Sequence, residues 1–386
     1  MKKQEIKKLL FSKKVITGLF AGAIALSIWA PASQAATPEK NQYYSIRLKA
    51  NQNLAWDVYR GDTSDNIGVL LYGVHNGDNQ QFIFFPLDNG KYAIVNKNSG
   101  KPITVGRYAW IGGKYYWEML LQKSWTGSAI EQWQLKDLGS DFYEIRNHGY
   151  QTVASYGGID NTDIVDLDEP DTSDNNRVFK ITPTNNTLQL PNLPAIGTRP
   201  DAPNYTGAID QQLPQSSNSV IVSTSLVPSI MVTDNNASDY TKIHNSPYYI
   251  LLKEEYWDKT FSAVIPAGLT KSYSFKTGIT SVDQQKMTDT LSIKIGADLG
   301  LKFGDKSAAI KSEISRTIQT EISTTNTEAS EETVSTTATS VPGKDTGFTE
   351  YQLATKYTLK RTDGSIVSDP WVVKNNKITI ARKNAQ

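Results

Sequence analysis

The chain has 386 residues, no Cys, three His and a near balance of 40 basic against 39 acidic side chains. The missing Cys excludes disulfides, thiolate metal sites and thiol nucleophiles, and His75, His148 and His244 are scattered with no HExxH-type pair, so neither a metal nor a cofactor is expected. A hydrophobic content of 38% with 20% charged residues leaves room for packed cores and excludes both a helical membrane bundle and an acidic disordered chain.

The first element is a targeting pattern. Lys2, Lys3, Lys7, Lys8, Lys13 and Lys14 precede an apolar run from Val15 to Ala30, and Pro31 and Ser33-Gln34-Ala35 follow. A basic start, a short apolar run and a small-residue site predict a secretory signal over residues 1–35, cut after Ala35 or Ala36, and hence a secreted protein. Residues 1–35 hold six Lys and one Glu, so the remainder of a chain of net charge +1 carries −4. A mildly acidic protein lacks the basic footprint that a nucleic-acid partner requires.

Three related segments come next. Tyr44-Ser45-Ile46-Arg47, Tyr92-Ala93-Ile94-Val95 and Tyr143-Glu144-Ile145-Arg146 are short alternating strands whose tyrosines lie 48 and 51 positions apart. Asn79-Gln80-Gln81-Phe82, Glu131-Gln132-Trp133 and Arg177-Val178-Phe179 close the units, with aromatics 51 and 46 positions apart. Two landmarks repeating in step predict three copies of one all-β unit over residues 42–185. Phe82, Trp133 and Phe179 are expected in its core.

These units resemble the ricin-type β-trefoil, whose repeats close with Gln-x-Trp. The resemblance implies a carbohydrate-binding site where an acidic residue, an aromatic platform and the Asn and Gln beside the closing aromatic meet. In repeat one these are Asp57, Tyr72, Asn79 and Gln80; the alternative reading is that Asn79 and Gln80 only tie the trefoil's strands together. A carboxylate and amides suit sugar hydroxyls, and a ring stacks on the apolar face of a pyranose. Glu131 and Arg177 depart from the pattern in repeats two and three; Asp166 and Asp168 are either sugar contacts or solvated loop acids.

Residues 186–214, flanked and punctuated by Pro183, Pro191, Pro194, Pro200, Pro203 and Pro214, read as an extended connector. Residues 215–386 are again β in character. From Leu291 to Phe303 the residues Leu291, Ile293, Ile295, Ala297, Leu299, Leu301 and Phe303 alternate without a break with Ser292, Lys294, Gly296, Asp298, Gly300 and Lys302. Period two over this length predicts one long strand, enough for a tilted bilayer crossing. Gly304–Ser307 supplies a turn, and a Ser/Thr-rich segment from Ile310 to Ser340 follows. Ile310, Ile314, Ile318 and Ile322 lie four apart, which fits either a helix stripe or a strand; the β-branched composition favours a long solvated strand. Two such strands fit either an ordinary sheet with one face buried, which alternation alone favours, or a membrane-inserting hairpin that closes into a barrel in a ring of protomers.

Several blocks in order resemble the bacillar binary-toxin family of insecticidal proteins, aerolysin-like toxins with an N-terminal trefoil. They are Phe82-Ile83-Phe84-Phe85-Pro86, Glu131-Gln132-Trp133-Gln134-Leu135, Ser225-Leu226-Val227-Pro228-Ser229-Ile230-Met231-Val232, Ser246-Pro247-Tyr248-Tyr249-Ile250-Leu251 and Tyr256-Trp257. The resemblance implies an all-β fold, a trefoil followed by an elongated pore-forming sheet over residues 215–386. It also implies a glycan-bearing receptor, self-oligomerisation in a target membrane and a second toxin component. Members that form crystals usually lack a signal peptide, so this chain departs there. A glycosidase is the enzymatic alternative, but the C-terminal part is too short for a β/α barrel and carries no G-x-S-x-G or P-loop motif, so no catalytic residue is expected. A non-lytic secreted lectin is the other.

Overall fold

The computed structural model describes residues 37–106, 109–111, 114–116, 119–159 and 162–386; the predicted signal and its cleavage site after Ala35 or Ala36 lie outside the described residues.

Each N-terminal repeat contributes four main strands: Gln42–Leu48, Leu54–Val58, Ile67–Gly73 and Phe82–Leu87; Lys91–Asn96, Ile103–Gly106, Met119–Gln122 and Trp133–Asp137; then Phe142–Asn147, Val153–Ile159, Thr162–Asp168 and Phe179–Thr187. The outer strands of the repeats close a six-stranded barrel, through Tyr43↔Ile83, Phe85↔Ala93, Tyr92↔Trp133, Leu135↔Ile145, Tyr143↔Phe179 and Ile46↔Ile181. The middle strands pair as hairpins that meet one another at Leu70↔Ile164, Met119↔Asp166 and Gly68↔Leu121, capping one end of the barrel. This is a β-trefoil. Phe82, Trp133 and Phe179 are fully buried in its core. Trp56 meets Phe82 and Phe179 edge-on at 6.0 and 5.6 Å, and the Trp133 indole N–H donates to the Ile103 carbonyl at 2.8 Å. Each such side chain stabilises the fold by about 1.5–3 kcal/mol through burial alone.

The Pro-rich connector is extended and pinned. Arg199 pairs with Glu255 at 2.6 Å, the Trp257 indole N–H donates to the Pro200 carbonyl at 2.8 Å, and the Tyr351 hydroxyl donates to the Pro214 carbonyl at 2.8 Å. It leads into a six-stranded antiparallel sheet ordered Val220–Pro228, Tyr248–Ile265, Thr346–Lys360, Trp371–Ala385, Thr270–Ile279 and Glu332–Thr339.

The expectation of one strand from Leu291 to Phe303 is corrected. Leu291 ends a helix, Ser281–Leu291, and a tight antiparallel pair follows, Ile293–Ile295 with Leu301–Phe303. Ser292 and Leu299 take left-handed backbone conformations, with φ of 55° and 65°, and Asp298 accepts from the Gly300 amide at 3.1 Å, so the chain turns over residues 296–300. Leu291, Ile293, Ile295 and Leu301 are buried, Leu299 and Phe303 half-buried, and Ala297 exposed. Gly304–Ser307 opens a short helix, Asp305–Ala308, and the return strand is replaced by a second helix, Lys311–Ile318. The four-residue spacing wins there because it puts Ile310, Ile314 and Ile318 on one buried face; Ile322 is exposed.

These elements occupy an excursion. Strands Thr270–Ile279 and Glu332–Thr339 pair continuously from Thr270↔Thr339 to Thr277↔Glu332. Residues 280–331 are therefore inserted between the two arms of one long hairpin.

Candidate functional site

Along Leu54–Val58, Trp56 and Val58 enter the trefoil core, so Asp57 lies on the opposite face. Its cross-strand partner is Leu70, and Tyr72 lies opposite Ala55 on the same hairpin. The loop after Gly73 brings three N–H donors to the Asp57 carboxylate: Asn79 Nδ2 to Oδ1 at 2.9 Å, with Gln80 Nε2 and His75 Nε2 to Oδ2 at 2.9 and 3.0 Å. The Gly77 amide donates to His75 Nδ1 at 3.1 Å, which places the ring proton on Nε2, facing Asp57. Burial pushes the Asp57 carboxyl up from its usual range, and the Gln80, His75 and Asn79 donors act against that rise.

A cleft of about 540 Å³ opens here, lined by Asp57, Tyr59, Arg60, Tyr72, His75 and Asn79. Three of the four residues expected from sequence share it. Tyr72 is 61% exposed, its ring meeting the His75 ring edge-on at 6.1 Å. Gln80 is 1% exposed and stands behind Asp57, so its assignment as a sugar contact is corrected to a clamp. Its Nε2 also donates to the Gly73 carbonyl at 2.9 Å, and its Oε1 accepts the His75 and Asn76 amides at 2.9 and 3.2 Å. His75 escaped sequence reading; the Asn76-Gly77 turn signal beside it was the available cue.

The other repeats are built differently. Register places Thr104 and Ser155 at the position of Asp57, since Arg47↔Ala55, Val95↔Pro102 and Arg146↔Val153 are equivalent pairs. In repeat two Ile130 replaces Asn79, and Glu131 is buried where it accepts the amides of Thr126, Gly127 and Ser128 at 3.0, 2.8 and 3.0 Å. That loop docks on the C-terminal part: the Trp125 indole N–H donates to the Lys306 carbonyl at 2.8 Å. Gly127 (φ 89°) packs so closely that a Cβ would lie 2.0 Å from the Asp305 carbonyl oxygen. In repeat three Arg177 is tied to Asp168 at 2.7 Å, Asp174 at 3.1 Å and the Glu169 carbonyl at 2.6 Å. Asp166 lies opposite Ser155, its carboxyl pushed up to about 6 by burial and then by Asp168.

Among the described residues no group of three or more His, Asp or Glu could hold a metal ion.

Comparison with known proteins agrees with this architecture. The family model described as Insecticidal Crystal Toxin, P42 matches residues 220–385, and the model described as Ricin-type beta-trefoil lectin domain-like matches residues 29–109. A binary larvicide subunit BinA of Lysinibacillus sphaericus is 32% identical over 361 residues, covering 89% of this chain and 91% of that protein. A BinB subunit from the same organism is 27% identical over 86% of this chain and 77% of its own length. The insecticidal crystal protein Cry35Ab1 of Bacillus thuringiensis is 28% identical over 74% of each chain. The crystal structure of Cry35Ab1 superposes with a TM-score of 0.77, covering 89% of this chain and 90% of that one at 23% identity, so the fold is shared. With these relatives, a β-trefoil of the lectin type and the P42 toxin domain in one chain, the protein belongs to the binary-toxin family of insecticidal proteins.

Proposed function

We propose that this chain is a secreted component of an insecticidal toxin that binds a glycan-bearing receptor through trefoil repeat one and then permeabilises the target membrane. The observation that carries the binding step is the cleft at Asp57, where a carboxylate held by three N–H donors stands beside an exposed tyrosine ring. Rigid support leaves little to be ordered when a saccharide binds, and the ring supplies the stacking face. Relatives described as subunits of one binary larvicide support a second component as partner.

Tyr72→Ala should weaken binding on a glycan array by roughly ten-fold or more, because the ring's stacking and burial are both lost. Its exposure makes it a cleaner probe than Asp57, whose removal also disturbs the loop. Binding by folded Tyr72→Ala and Asp57→Ala proteins at the level of the unaltered protein removes repeat one as the receptor site.

For the membrane step, residues 280–331 lie between two strands that already pair. Release of this excursion, in place of insertion of a preformed Leu291–Phe303 strand, would let the arms Thr270–Ile279 and Glu332–Thr339 extend. Self-oligomerisation would then pair the extended hairpins so that no strand edge meets lipid. Dye release from liposomes by the purified protein, alone and with a second family component, tests this step; a lectin without lytic activity binds glycans and leaks nothing under either condition.

A further inference from the structure

The wall of the repeat-one cleft contains a residue in an unfavourable conformation. Between the strand carrying Asp57 and the rest of the cleft, Tyr59–Gly61 forms a single turn in which Arg60 has φ 56° and ψ 13°, followed by Gly61 at φ 64°. Glycine adopts this region freely, and Asn does so with help from its short polar side chain; Arg has neither advantage. Such strain persists only where the surrounding structure fixes it, and it clusters at ligand-binding sites.

The Arg60 guanidinium lies 5.0 Å from the centre of the Tyr59 ring and forms no ion pair among the described residues. The neighbouring N–H donors are spent. Asn79 Nδ2 donates to Asp57 and to the Val58 carbonyl, Gln80 Nε2 to Asp57 and the Gly73 carbonyl, and His75 Nε2 to Asp57. Asp57 and Asn79 thus offer the cleft oxygen acceptors, suited to sugar hydroxyls that donate. The side-chain N–H donors left free in the lining belong to Arg60, a planar fork suited to a carboxylate or sulfate.

We propose that Arg60 reads an acidic substituent on the bound saccharide, so that this cleft prefers a carboxylated or sulfated sugar to its neutral counterpart. The proposal rests on the reading of the cleft as a saccharide site and adds the ligand class. Sugar hydroxyls meet Asp57 and Asn79, the ring lies on Tyr72, and the acidic group points to Arg60, away from the Asp57 carboxylate.

The test is a binding series on the full chain with matched oligosaccharides: each neutral compound beside its sialylated form and its sulfated form. For at least one matched set the unaltered protein should favour an acidic member by roughly five-fold or more, as one charge-assisted contact at an exposed site provides. Arg60→Gln and Arg60→Gly should bring that ratio to within about two-fold, and the preference should fall as salt shortens the Debye length from about 10 Å at 0.1 M to about 3 Å at 1 M. Arg60→Gly relieves the left-handed strain, so a loss of preference in a protein with an equal or higher Tm is not a folding defect. Which acidic form is preferred separates a carboxylated from a sulfated ligand. Saccharide binding with no acidic preference, or a preference that survives Arg60→Gln, overturns the role of Arg60 alone; absence of saccharide binding by the unaltered protein overturns the underlying site reading as well.

Discussion

At the scale of single residues, the repeat-one site separates ligand-facing from supporting groups. Gln80 is buried with both ends of its amide satisfied, so Gln80→Ala leaves the His75 and Asn76 amides and part of Asp57 without partners. The expected cost is about 1–3 kcal/mol in denaturant unfolding, whereas Tyr72→Ala should stay within about 0.5 kcal/mol because the ring is exposed. Equal effects would mean that Gln80 is no clamp. Asp166 yields a pH test. Its folded pKa of about 6 exceeds the ordinary aspartate value of 3.8, so the folded chain binds the proton more tightly. Its stabilising contribution is present below about pH 4 and is lost as pH rises towards 6 and beyond. Asp166→Asn should therefore raise Tm relative to the unaltered protein near pH 7, with the gap narrowing below pH 4; a gap independent of pH contradicts the assignment. The trefoil resemblance singles out Asp57, Tyr72 and Asn79, which the fold brings into one cleft. It could not tell Gln80 from Asn79, because which of two adjacent amides faces outward depends on a single turn of the loop, and His75 becomes visible only once that turn closes.

At the scale of elements, the segment after Leu291 shows why alternation misled. The pairs Ile293↔Phe303 and Ile295↔Leu301 match odd with odd positions, and the turn over residues 296–300 preserves that parity. Two short strands and their turn therefore read as one uninterrupted strand; Gly296, Asp298 and Gly300 were the turn chemistry that period two outweighed. The helix Lys311–Ile318 shows a different limit. No side chain caps it from within its own segment, and Ile310 stands at the N-cap. The cap comes from the trefoil. Asp88 accepts the Ser312 and Glu313 amides at 2.9 and 3.3 Å, and its own amide donates to the Ala309 carbonyl at 2.8 Å. A capping residue more than two hundred positions away leaves no local signal. Asp88→Ala should destabilise the protein by about 1 kcal/mol, and Asp88→Asn by much less, since an amide oxygen also caps. Hydrogen exchange should quicken over residues 311–318 in the alanine variant; unchanged protection there would show that packing of Ile314 and Ile318 holds the helix without the cap.

At the scale of the whole molecule, the trefoil is a fixed part of the protein. Tyr43, Ile83, Phe85, Leu87, Ala93 and Val95 on its outer surface share one buried cluster with Tyr248, Ile310, Ile314 and Trp371, and Phe85 meets Tyr248 edge-on at 5.1 Å. The loops that precede the closing aromatics differ: that of repeat one borders an open cleft, that of repeat two docks through Trp125 and Gly127, and that of repeat three ties Arg177 to its own acids. The Trp125–Gly127 loop and the Asp88 turn hold residues 305–313, part of the excursion that must move if the long hairpin is to extend. A covalent link across this contact should therefore separate binding from lysis. The natural chain has no Cys, so Asp88→Cys with Ser312→Cys introduces a single possible disulfide where a carboxylate oxygen now lies 2.9 Å from an amide nitrogen. The oxidised protein should bind its glycan as the reduced form does, yet release little dye from receptor-bearing liposomes, and reductant should restore release. The reduced double variant carries the loss of the Asp88 cap in both states, so the comparison isolates the link. Equal leakage by a fully oxidised, folded protein would mean that residues 305–313 stay on the trefoil throughout and that membrane insertion draws on another part of the chain.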